Sequence, residues 1–425
     1  MKRKITLIVI AVLIINVFIL LIYHNSYDQK TILEDNQKTI DTTNNMKNMV
    51  SIMLETSSGS GKYTKSSSTS FPTSGYVFNS SKSGCENGGT LYYTNGKLQL
   101  KNNISDKCYV YFDVYSVLLT DYVKSLYTGT QGANGLYYHD ESLANGAGDN
   151  SYRYSGADPN NYVCFGSNES PCPTDNLYRI IGVFGDKVKL IKYDFATSAL
   201  LGTDGDYSSS EKPYASNYKG SLTTISTYYW NLKNNSSINS GQGSNTWSTS
   251  LLNKTNLNTN FITNIGTEWA NKIATTTWKV GGNTLDNISK VVPATAYQNE
   301  IVNPVTTNTT DNATEYPAKI GLMYASDYGF AADPSAWTTT LYDYDGSVNG
   351  STISSLNWMH MGGYTEWPIS RSSSYAYGVF DVGSPGYVGT SNASNAYVVR
   401  PSFNLVSSIT YASGDGTASS PIRIG

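Results

Sequence analysis

The chain has 425 residues with 29 Lys or Arg against 32 Asp or Glu, and its 14% charged content is well below the roughly 25% of an average soluble domain. Only 3 His and 4 Cys accompany 35 Tyr. That balance excludes a basic nucleic-acid binder, a His-rich metal protein and, with 39% apolar residues, a disordered chain.

Lys2, Arg3 and Lys4 precede an uncharged apolar run from Ile5 to Tyr23. As a helix at 1.5 Å per residue, that run spans about 28 Å, close to the hydrocarbon thickness of a bilayer. The sequence therefore predicts a cytoplasmic tip at 1–4 and a transmembrane signal-anchor at 5–23 in contact with the lipid bilayer. This makes a single-pass protein of the plasma membrane with everything beyond exposed outside. A cleaved signal peptide is the rival, and the run lacks the small-residue site such a peptide needs. The exported part has 26 basic and 32 acidic residues, a net charge of −6.

Residues 24–57 read as an amphipathic stalk helix, with Met46, Met49, Val50, Met53 and Leu54 at helical spacing. The Ser, Gly and Thr of 58–74 read as a flexible linker. From 75 to 128 a small β module is expected. Thr90–Tyr93 and Lys97–Leu100 flank Asn95-Gly96, a strong hairpin signal. Cys85 and Cys108 bracket that hairpin, which brings them together as a disulfide. Leu119, Tyr122, Val123 and Leu126 then mark a short helix over Ser116–Tyr127.

The third region, 129–425, opens on a loop-rich stretch in which Cys164 and Cys172 close a small disulfide loop. Tyr178–Phe184 and Lys187–Lys192 form the clearest hairpin, turning at Gly185-Asp186. Helices are expected around Trp247–Leu257 and Phe261–Ala274, and strands at Thr275–Val280, Ile320–Tyr324, Tyr377–Val382 and Tyr397–Leu405.

The stretches DNLYRIIGVF (Asp175–Phe184), VKLIK (Val188–Lys192), WSTSLLN (Trp247–Asn253), IGLMYASDYG (Ile320–Gly329), EWPISR (Glu366–Arg371) and VRPSFNL (Val399–Leu405) carry a resemblance. Through them the chain resembles an uncharacterised family of membrane-anchored surface proteins of Firmicutes, which are Gram-positive bacteria. The closing Trp–x–x–x–Arg, hairpin and V-R-P pattern is distantly similar to the C-type-lectin-like fold, including formylglycine-generating-enzyme relatives. The E-P-N and W-N-D sugar triplets of lectins are absent, and no Cys follows Cys172, so no activity is carried over. The class this implies is α+β: a transmembrane helix, a small β-hairpin module and a loop-rich C-type-lectin-like mixed domain.

No metal site and no cofactor are expected. Tyr and Trp offer contact area at low entropy cost. Tyr344, Asp345, Trp358, Trp367, Arg371 and Tyr387 are the candidate ligand-binding residues, presented by aromatic C-terminal loops to a glycan or a surface protein. The expected function is thus adhesion or recognition at the cell surface, with the oligomeric state open. One alternative is an envelope- or glycan-modifying hydrolase using Asp343, Asp345, Glu366 or Asp381. The other is a purely structural envelope protein that assembles through its stalk.

Overall fold

The computed structural model describes residues 50–56, 59–68, 70–72, 75–94, 97–101, 106–207, 216–220, 225–233, 241–304 and 313–425. The span expected at 5–23 lies outside them, as do the tip and most of the stalk. Among the described residues no helix is long and apolar enough to cross a membrane. The α+β class with a membrane helix is corrected accordingly: the described fold is mostly small sheets with few helices, 21% helix and 33% strand. The single-pass plasma-membrane placement is corrected with it, because it rested on that helix alone.

Two compact units divide the chain between Ser116 and Val117. In the first, the end of the expected stalk helix is a strand, β1 (Val50–Glu55). Its Val50, Ile52 and Leu54 alternate with Ser51, Met53 and Glu55, and backbone partners on both sides outweigh the helical spacing of the methionines. The expected linker contains β2 (Tyr63–Lys65). With β3 (Tyr76–Cys85) and β6 (Cys108–Val114) the sheet order is β2-β1-β6-β3, and β4 (Thr90–Thr94) and β5 (Lys97–Lys101) form a separate hairpin. β1 runs parallel to β6, in register from Val50↔Cys108 to Leu54↔Phe112. Ile52, Phe71, Leu98, Val110 and Phe112 form the core, and the Cys85–Cys108 disulfide ties β3 to β6.

The second unit begins with β7 (Val117–Leu118), which pairs with the strand Thr410–Ser413. The short helix stands at Leu119–Ser125. Its buried Leu119 and Val123 join the large core of this unit, so the boundary falls at 116/117 and not at 128/129. The main sheet is seven-stranded. Its path runs Ile320–Gly321, Ser402–Asn404, β12 (Lys187–Lys192), β11 (Leu177–Phe184), β9 (Ser151–Tyr154) and β8 (Leu136–His139), with β10 (Tyr162–Cys164) beside β11. The β11–β12 hairpin turns at Gly185, whose φ of 63° suits glycine. The Cys164–Cys172 disulfide is present.

Long loops connect these strands, and buried side chains do for them what ladders do for sheets. The indole N–H groups of Trp230, Trp278, Trp337, Trp358 and Trp367 donate to the carbonyls of Pro368, Ala318, Ala332, Tyr154 and Tyr228. Buried Asn245 donates to the carbonyls of Ser372, Tyr375 and Gly378 within 2.7–3.0 Å. A buried backbone carbonyl needs such a partner. Much of the Tyr, Trp and Asn in this composition therefore works inside the fold.

Candidate functional site

The six candidate ligand-binding residues do not form one exposed face. Tyr344, Trp358, Trp367 and Arg371 are buried at 0%, 4%, 0% and 1% exposure. Tyr344 hydroxyl donates to the carbonyls of Gly329 and Ala336, and Trp367 packs on Tyr397 with ring centres 4.4 Å apart. The expectation that these four present themselves to a ligand is corrected on burial: the polar groups of Tyr344, Trp358 and Trp367 are spent on internal carbonyls, and Arg371 is 1% exposed. Arg371 Nε donates to Val280 O at 2.6 Å, while neither Nη atom has a hydrogen-bond partner among the described residues. Burial lowers this guanidinium to about 10. Of the two remaining residues, Asp345 is exposed and Tyr387 is half-buried. Tyr387 lies 6.2 Å, ring to ring, from exposed Tyr342, and its hydroxyl pKa is raised first by burial, then by Asp381, Tyr397 and Tyr342, and least by the exposed Asp345.

The four carboxylates considered for hydrolysis sit in different environments. Asp343 and Asp345 are exposed. Glu366 accepts two hydrogen bonds at 2.8 Å from the Arg400 guanidinium, both residues being buried. Burial pushes the Asp381 carboxyl up to about 6.

That shift carries a pH dependence. From the ordinary 3.8 up to about 6, folded Asp381 retains a proton that the unfolded chain has released. Stability therefore falls as pH rises through this window, and the penalty is complete above it. Asp381→Asn should raise stability at neutral pH by ~1–3 kcal/mol and change little near about pH 4. Denaturant melts at the two pH values test this, and an equal effect at both would refute it.

The structure places the strongest constellation elsewhere, in a cavity of about 230 Å³ on the main sheet of the second unit. β12 alternates Lys187, Lys189 and Leu190-Ile191, and both its faces are covered, so Lys189 is 5% exposed. Its ammonium bonds Asp327 Oδ2 at 2.5 Å and lies 4.6 Å from the Tyr324 ring centre and 5.4 Å from that of Trp278. Burial lowers the Lys189 pKa and Asp327 opposes that shift. Asp327 also accepts from the Tyr324 backbone N–H at 2.9 Å, closing a capping box at the start of the helix Ala325–Ala331.

Arg153 of β9 completes the cluster. Its guanidinium is stacked 4.6 Å from the Phe184 ring centre and 5.0 Å from that of Tyr297. Nη2 binds Asp149 at 2.6 Å, Nε binds Ser151 Oγ at 2.8 Å, and Nη1 stands 3.7 Å from Asp327. Asp149 is held down at about 2 by Arg153 and by hydrogen bonds from Ser151 and Tyr297, which outweigh its burial. The wall opposite comes from the strand Thr276–Lys279. Trp278 lies against Gly321, where a Cβ would meet the indole at 2.6 Å, so only glycine lets the ring sit there. Lys279 N–H donates to Tyr324 Oη at 2.7 Å, and Lys279 Nζ bridges to Glu315. Behind the wall, buried Glu300 accepts from the N–H groups of Ala325 and Ser326, and burial raises it to about 6.

None of the six candidates and none of the four carboxylates lines this cavity. The sequence does contain its traces: alternate lysines on a strand of an otherwise apolar hairpin, and an Asp three residues after Tyr324 at a helix start. Among the described residues no group of three His, Cys, Asp or Glu could hold a metal ion. No family model, curated protein or solved structure matches the chain, so the chemistry of this cavity is what speaks for its function.

Proposed function

We propose that this protein is a recognition protein of an oxidising compartment, where its two disulfides persist, and that it binds one sugar unit of a glycan in the cavity beside Trp278. The observation that carries this is the wall: Trp278, Tyr324, Tyr297 and Phe184 surround a space with Thr276, Thr277 and Asn404 at its polar edge. Ligand sites combine apolar and aromatic walls with a few placed polar groups. At about 230 Å³ the space falls below the roughly 300–1,000 Å³ of sites for drug-sized ligands, so it suits a single ring and not a polymer. The lining carboxylate, Asp327, is held by Lys189 and the Tyr324 N–H, which favours holding a ligand over attacking one.

Ligand-detected NMR with monosaccharides, neutral and acidic, tests the proposal. Binding is expected for the wild type. It should be lost in Thr277→Trp, which fills the mouth from an exposed position. No binding by any sugar, or binding unchanged in Thr277→Trp, overturns the proposal.

A further inference from the structure

Cationic side chains outnumber carboxylates on the walls of the same cavity. Its lining carries three cations, Arg153, Lys189 and Lys279, against one acid, Asp327. The carboxylates that balance the outer cations, Asp149 and Glu315, do not line it. Arg153 is 2% exposed, yet its Nη1 reaches no acceptor within hydrogen-bonding distance among the described residues; Asp327 Oδ1 is 3.7 Å away. An ammonium has three N–H donors, and Lys189 spends one on Asp327 while its remaining surroundings are the rings of Tyr324, Trp278 and Phe184. Asp327 Oδ2 accepts from both Lys189 and the Tyr324 N–H, and Oδ1 faces Arg153 Nη1 at 3.7 Å. A ligand entering here meets three cations and one carboxylate, Asp327, which is already ion-paired with Lys189 and Arg153. In a low-dielectric cleft such a field favours an anion.

We infer that the ligand carries a carboxylate, so that the cavity selects an acidic sugar over its neutral counterpart. This rests on the cavity being the sugar site. The carboxylate accepts from Arg153 Nη1, the guanidinium being the group best shaped to hold one. The half-exposed Lys279 at the mouth adds attraction during entry. The sugar ring packs against the aromatic wall, with Thr276 and Thr277 at the cavity's edge.

Titration calorimetry with glucuronate, galacturonate and N-acetylneuraminate, each beside a neutral partner (glucose, galactose and N-acetylglucosamine), is the test. At low salt at least one acid should bind tenfold or more tighter than its neutral partner, and the gap should narrow as salt rises. Lys279→Glu, which reverses the charge at the mouth, should weaken the acid roughly tenfold and the neutral sugar by much less. Acid and neutral sugars binding alike, with Thr277→Trp still abolishing both, overturns the anion selectivity and leaves the sugar site standing. Binding by neither, or binding that Thr277→Trp does not touch, overturns both.

Discussion

Asp327→Asn is expected to destabilise the second unit by roughly 3–5 kcal/mol, the usual cost of stripping one partner from a buried ion pair. The substitution keeps an oxygen for the Tyr324 N–H, so the helix cap survives in part. What it removes is the charge facing Lys189 at 2.5 Å and Arg153 at 3.7 Å, two cations that are 5% and 2% exposed. Arg153 retains Asp149; Lys189 retains no carboxylate at ion-pair distance among the described residues. Lys189→Met in the same chain should therefore recover much of the loss, since it replaces the stranded ammonium with an apolar chain that suits the surrounding rings. Urea unfolding of the two single variants and the double gives the coupling directly. Strictly additive losses, or an Asp327→Asn chain within about 0.5 kcal/mol of wild type, would contradict the arrangement.

The second large effect is expected at Trp367. Fully buried, it fills core space, packs on Tyr397 and satisfies the Tyr228 carbonyl at 2.9 Å. Trp367→Ala should cost ~3–5 kcal/mol for the lost volume. Trp367→Phe retains most of the volume but strands the carbonyl, and should cost ~1–3 kcal/mol. Tyr375, 57% exposed in the same aromatic-rich region, should accept Ala within about 0.5 kcal/mol. Thermal melts of the three variants separate a core tryptophan from a surface one. Equal, small effects at Trp367 and Tyr375 would return Trp367 to the surface.

These two residues show where the sequence is readable and where it stops. The hairpins β4–β5 and β11–β12 are legible because turn chemistry and strand pattern lie within a dozen residues of each other. Both disulfides are legible for the same local reason. The helix at Leu119–Ser125 follows from its apolar spacing. The parallel partner of β1 is not legible, since β6 begins 58 positions later and its ladder overrides local spacing. Nor is the partner of Lys189, because Asp327 lies 138 positions away. The aromatics mislead for a subtler reason. In a loop-rich chain a Trp or Tyr serves equally well to contact a ligand or to clamp a carbonyl, and composition does not distinguish them. Trp358 and Tyr344 clamp carbonyls, whereas Tyr342 and Tyr387 reach the surface.

The parallel pairing of β1 with β6 also has a mechanical meaning. The chain enters this sheet at Val50 and leaves it at Val114, at opposite ends of two adjacent strands that run the same way. A pull applied between those two points slides the strands along each other. The inter-strand bonds from Val50↔Cys108 to Leu54↔Phe112 then bear the load together, in shear, instead of opening one at a time like a zipper. The small first unit is thus braced along the line of its own chain, the direction of any tension applied between Val50 and Val114.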